Sequence, residues 1–134
     1  MIVVDASVLA NALADDHRDG EAARRSLVGR GGLAAPDLID VETVAVFRKR
    51  WLAGDLPTRR FSAAVDDLEA LELDRFPALP LMRRAYELRS NVTAYDATYI
   101  ALAERLGCQL LTADEELTNA PGVSCEVEVV RTPS

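Results

Sequence analysis

Three consecutive apolar residues, Ile2-Val3-Val4, end on a carboxylate, Asp5. A strand with one wet face alternates apolar and polar side chains. A short run with no polar position suits instead a central parallel strand covered on both faces. Parallel neighbours need crossover helices, and the rest of the chain supplies them. Helical patterns cover Ser7–Leu13 and Glu21–Val28, the latter stopped by Gly29, Gly31 and Gly32. A strand at Leu33–Ala35 leads through Pro36-Asp37 into a long helix ending near Ala53 and closed by Gly54. Helices follow over Pro57–Leu71, Pro80–Arg89 and Thr93–Leu106, with Gly107 as the last stop. Gln109–Thr112 and Glu126–Val130 are strands, separated by a helical turn at Glu115–Asn119. The alternation predicts an α/β fold with a parallel sheet flanked by helices.

The 134 residues fit one domain with a genuine core, and 49% of them are apolar. No apolar run approaches the roughly 18 residues of a membrane span. The first residues carry no basic, long apolar leader, so a cytoplasmic protein is expected. Cys108 and Cys125 are too few for a disulfide framework and are expected as buried free thiols, with a bridge or a metal role as the alternatives. The single histidine, His17, stands in the polar stretch Asp15–Arg18 and is expected at the surface, which excludes histidine-rich zinc sites. Net charge is −7, whereas backbone-tracking nucleic-acid binders are usually basic. An acidic chain can still act on RNA if metal ions and a local arginine cluster hold the phosphates. Arg48, Arg50 and Arg89 are candidates for that contact, with solvated helix faces as the simpler account.

Sites in open parallel sheets form beyond the carboxyl ends of strands. Asp5 follows the first strand directly and Asp114 follows Leu110-Leu111-Thr112 by two residues, so both fall on one sheet edge. Either acid also suits a helix cap. Glu42 is harder to explain, because its helical neighbours are Leu38, Ile39, Ala45 and Val46. A glutamate on an apolar face needs a cation or strong donors, and Lys49, two turns on, is one candidate partner. Asp40, on the other side of that helix, is expected in solvent. Asp96 directly precedes the nearly apolar run Ala97–Ala103 of its helix, although Thr93-Ala94-Tyr95-Asp96 also reads as a capping box. Four acids converging on one edge repel without a counter-ion, and hard oxygen donors select Mg²⁺ or Mn²⁺. Such a site makes a water nucleophile at neutral pH without a histidine base, as phosphodiester hydrolysis requires.

Four segments carry a family resemblance: Val3–Ser7, Ala35–Glu42, Leu88–Ala97 and Leu110–Asp114. In that order they resemble the PIN-domain ribonucleases, and among them the VapC-type toxins of toxin–antitoxin pairs, over essentially the whole chain. The resemblance implies a single PIN domain over residues 1–134, with a mostly parallel twisted sheet of four or five short strands. It implies a Mg²⁺-dependent endoribonuclease with Asp5 and Asp96 as principal metal ligands and Glu42 and Asp114 completing the acidic site. Ser7 and Thr112 would support ligands or water by hydrogen bonding. Asp114 is preferred over Glu115 and Glu116 on family spacing. RNA as substrate, a cognate antitoxin and a homodimer come from the resemblance. A face carrying Val44, Phe47 and Trp51 opposite Glu42 also suits a second copy. The alternatives are a PIN nuclease of RNA processing or repair, and a PIN scaffold kept only for binding. A phosphoacceptor receiver domain fits poorly, because it needs an acidic pair after the first strand and a late lysine; Ala6-Ser7 follows Asp5, and Lys49 is the last lysine.

Overall fold

The computed structural model describes residues 1–134. In chain order the elements are β1 (Ile2–Val4), α1 (Ala6–Ala14), α2 (Arg18–Leu27), β2 (Leu33–Pro36), α3 (Ile39–Leu52), α4 (Thr58–Ala70), β3 (Asp74–Phe76), α5 (Met82–Glu87), α6 (Ala94–Leu106), β4 (Leu110–Thr112) and β5 (Val127–Val129). The strands form one sheet in the order β3-β2-β1-β4-β5, with every pair parallel. From β1 the chain first fills one side of the sheet and later returns to fill the other. The carboxyl ends of β1 and β4 therefore flank the point where strand order reverses, where sheets of this type form their crevices.

The central strands are buried throughout, as their unbroken apolar character requires: Val3, Val4, Leu110 and Leu111 are all 0% exposed. Helix α6 packs on β1, β2 and β4, and α5 packs against α6. Seven consecutive α6 residues, Ala97–Ala103, are buried. Its many alanines let neighbours approach closely around the helix. On α1 gather α2, α3 and α4. A second small core forms there from Ala10, Ala14, Phe47, Leu56 and Ala64, with Phe61 edge-on to Phe47 at 5.9 Å between ring centroids.

This second core corrects one expectation. Phe47 is fully buried within the chain and is not part of a free helix face. The apolar residues that α3 does expose are Val41, Trp51 and Leu52. Strand β3 is absent from the expected elements, because Asp74-Arg75-Phe76 is an edge strand with two charged, exposed side chains. Asp40 is also not simply solvated. Arg75 of β3 donates to both of its carboxylate oxygens, at 2.8 and 2.9 Å, tying α3 to the sheet edge. The expected helix over Pro80–Arg89 divides into a 3-10 turn at Leu79–Leu81, with Pro80 inside it, and the short α5. His17 is exposed as expected, while Cys108 and Cys125 are free but only half-buried.

Gly20 shows how tightly α2 joins α1. A Cβ there would lie 1.7 Å from the Asp15 carbonyl oxygen, and the Asp15 carboxylate accepts from the Gly20 and His17 amides at 3.0 and 2.8 Å. Backbone on backbone leaves no side chain to yield. Gly20→Ala is expected to lower stability by about 1–3 kcal/mol in urea unfolding. An unchanged midpoint would show that the α1–α2 connection relaxes freely.

Candidate active site

Asp5 ends β1 and caps α1. One carboxylate oxygen accepts from Ser7 Oγ at 2.6 Å and from the Val8 amide at 3.2 Å, and the other accepts from the Thr112 hydroxyl. The cap and the site are thus compatible. Thr112, at the end of β4, in turn accepts from the Asp114 amide at 3.1 Å. Ser7 accepts from the Ala113 amide at 3.2 Å, so the two hydroxyls join the ends of β1 and β4 around one carboxylate. Asp5 is 7% exposed. Burial raises its pKa above the usual carboxylate value, against the lowering effect of Ser7, Thr112 and two backbone amides.

Glu42 projects from the first turns of α3. Its partner is not Lys49, which is exposed, but Tyr99 of α6, whose hydroxyl donates to Glu42 Oε1 at 2.8 Å. A phenol buried in the sheet-facing helix needs an acceptor, and a carboxylate on an apolar face needs a donor; each answers the other. Tyr99 is the site residue that the local sequence does not reveal, since the pair spans two distant helices. Burial raises the Glu42 pKa first, and the charges of Asp96 and Asp5 add to it.

Asp96 stands in the first turn of α6. The capping box is only half formed: Thr93 Oγ1 accepts from the Asp96 amide at 3.2 Å, but the Asp96 carboxylate makes no return bond to the Thr93 amide. Burial raises its pKa, followed by the charges of Asp5 and Asp114. Asp114 is exposed on the rim, where one oxygen accepts from the Glu116 amide at 2.9 Å and caps a 3-10 turn. An open groove of about 420 Å³ brings Asp96 and Asp114 together with Arg89, Asn91 and Thr93. Of the three candidate arginines only Arg89 lines it, with its guanidinium 4.0 Å over the Tyr86 ring. Arg50 instead donates to Asn11 at 2.5 Å, and Arg48 is exposed on α3.

The structure therefore brings all four expected acids to one edge within electrostatic reach. Asp5 acts on Glu42 and on Asp96, Asp96 on Glu42, and Asp114 on Asp96. As they stand, these side chains do not close into a three-ligand cage. Glu42 is drawn to Tyr99 and Asp114 to its cap, both by side-chain bonds that rotation can release. The donor chemistry still fits a hard divalent cation: carboxylate and hydroxyl oxygens gather at the edge with no lysine or histidine beside them, and the one cation of the groove, Arg89, stacks on Tyr86.

The raised pKa values carry a sign for stability. A carboxyl that is more basic in the folded chain binds protons more tightly there than in the unfolded chain. Its contribution therefore weakens folding as pH rises from the unfolded value, 4.5 for Glu42, through the folded one. Glu42→Gln keeps an acceptor for Tyr99 and removes the charge. In chelator, its stability relative to the parent should rise between pH 4.5 and neutrality. A pH-independent difference in urea unfolding would show that Glu42 is not strained by its surroundings.

Comparison with known proteins bears on the family and the fold. The PIN domain family model matches residues 2–123. Ribonuclease VapC9 of Mycobacterium tuberculosis is 38% identical over 130 residues, spanning 97% of this chain and 98% of that protein. Ribonuclease VapC1 of the same organism is also 38% identical, spanning 96% and 97%. Among solved structures, the DNA-bound VapBC of Salmonella typhimurium superposes with a TM-score of 0.68 over 97% of this chain and 98% of that one, at 14% identity. That last likeness is one of fold. A family match over nearly every element, joined to relatives that run the length of the chain, shows that the protein belongs to the PIN-domain family and, within it, to the VapC ribonucleases.

Proposed function

We propose that the chain is a Mg²⁺-dependent endoribonuclease, the toxin of a toxin–antitoxin pair, acting through Asp5, Glu42, Asp96 and Asp114. The observation that carries this reading is the set of three desolvated carboxylates, with Asp114 on the rim, at the strand-order reversal. Leaving like charges so close is unfavourable unless a cation joins them. Bound Mg²⁺, or Mn²⁺ in its place, would supply charge stabilisation at a phosphodiester and acidify water.

The chain's own residues have distinct tasks. Ser7, Thr112 and the Val8 amide lock Asp5 in a single orientation, so it presents a fixed donor edge. Tyr99 aims Glu42 and is a positioning residue, as are Ser7 and Thr112. Asp96 is half-buried and only the Thr93 side chain stabilises its carboxylate, which leaves most of its acceptor capacity for a cation. Asp114 has one oxygen committed to its cap and the other turned to solvent, where it orients water or accepts its proton. Arg89 on the groove wall meets an RNA phosphate, an attraction that offsets the acidic surroundings.

The antitoxin is supported by the VapBC assembly among the structural neighbours, and a homodimer by the exposed Val41, Trp51 and Leu52 on α3. No helix is long and apolar enough to cross a membrane. The test is cleavage of total RNA by purified protein with and without chelator. Cleavage should require Mg²⁺ or Mn²⁺ and stop in EDTA. Added Mg²⁺ should also raise the melting temperature, because it binds only the folded site. Cleavage that continues in EDTA, by protein free of other nucleases, would overturn the carboxylate mechanism.

A further inference from the structure

At the opposite, amino-terminal ends of β4 and β5 lies a second constellation. The register pairs Leu110 with Val127, Leu111 with Glu128 and Thr112 with Val129. It continues below the strands: the Leu110 amide donates to the Glu126 carbonyl at 2.9 Å, and the Gln109 side chain donates to the Glu126 carboxylate at 2.9 Å. Carried one residue further, the same offset sets Cys108 opposite Cys125. Both cysteines lie just before their strands, two residues ahead of Leu110 and Val127, which are themselves partners. Neighbouring strands lie about 4.8 Å apart, inside the roughly 4.4–6.8 Å Cα separation that a disulfide requires.

The chain ahead of Cys125 is also held in place. Arg84 grips Glu104 through two bonds of 2.8 and 3.1 Å and donates to the Gly122 carbonyl at 2.7 Å. Glu104 in turn accepts from the Ser124 amide at 2.8 Å. Both thiols line one open groove, so a small oxidant reaches them. The carboxylate edge uses neither sulfur.

We propose that Cys108 and Cys125 form a reversible intramolecular disulfide that staples the edge strand β5 to β4 when the protein meets a disulfide oxidant such as oxidised glutathione. Burial and the charge of Glu104 hold the Cys125 thiol up at about 11, which makes Cys125 a poor first attacker. The Cys108 thiolate displaces one glutathione thiolate and forms a mixed disulfide. The Cys125 sulfur, losing its proton to solvent, then attacks the Cys108 sulfur and releases the second glutathione. Two protein S–H bonds are lost, one S–S bond forms, and the oxidant's two sulfurs leave as thiols.

The bridge closes a loop of about 16 residues, for which chain-entropy arguments give a melting temperature higher by on the order of 10 °C. The test treats the full-length protein with oxidised glutathione, counts free thiols, maps linked peptides without reduction and measures melting. Expected are loss of both free thiols, a Cys108–Cys125 peptide, a higher melting temperature and reversal by dithiothreitol. Cys125→Ser should leave a lone Cys108 that retains glutathione and gains no stability. Two thiols that persist in the folded protein while the urea-unfolded chain reacts would overturn the proposal. Glutathione retained on both sulfurs, links between chains only, or a bridge that lowers the melting temperature would overturn it equally.

Discussion

Asp5→Asn is expected to slow RNA cleavage by at least about 10³-fold while the fold survives unchanged. The asparagine oxygen keeps the bonds from Ser7 and the Val8 amide, so the α1 cap persists. Its amide nitrogen faces the Thr112 hydroxyl, which has a second lone pair beside the one used by the Asp114 amide. What disappears is a buried negative charge whose desolvation already strains the folded chain. In chelator the variant should therefore melt at or above the parent temperature. Asp5→Ala is the contrasting variant. It leaves the Ser7 and Thr112 hydroxyls and the Val8 amide without their acceptor, and should lose stability as well as activity. Wild-type cleavage by Asp5→Asn would reduce Asp5 to a helix cap and remove the centre of the proposed site.

The parts of the molecule legible in the sequence are those in which local pattern and burial agree. Ile2–Val4 and Leu110–Leu111 are apolar at every position because both sheet faces are covered, and they form the two central strands. Gly107 ends α6 in the left-handed conformation that glycine adopts without strain. Asp5 and Asp114 follow from strand ends, and Asp96 from a charge at the head of an apolar run. Contacts between distant elements leave no such trace. Nothing near Glu42 announces Tyr99, 57 residues on, and the visible local cation, Lys49, is not the partner. Asp40 likewise reads as a solvated charge until Arg75 of β3 meets it across the sheet edge. Phe47 reads as surplus apolar surface because the second core needs α1 and α4 to assemble around it. The family resemblance, and not the spacing, is what points to RNA and an antitoxin.

In cells the largest effect should come from Asp96→Asn. Expression of the parent chain without an antitoxin is expected to arrest growth, and the variant to leave growth unaffected. Asp96 is the acid whose charge has least structural justification. Its amide donates to Thr93, the Thr93 side chain is the one group that favours its charge, and it faces the charges of Asp5 and Asp114 across a partly dry edge. Replacing the carboxylate with an amide of the same size keeps the packing of α6 and lowers the mutual repulsion. The variant should thus accumulate as folded protein to at least the parental level, so harmlessness cannot be attributed to misfolding. Its affinity for Mg²⁺, read as the rise in melting temperature on addition of the ion, should fall with the toxicity. Co-expression of a cognate antitoxin should rescue the parent and make no difference to the variant. Growth arrest by Asp96→Asn at equal soluble levels would show that harm does not depend on the carboxylate site. A harmless parent at confirmed soluble levels in its native host would overturn the toxin reading and leave the acidic edge to a nuclease of RNA processing.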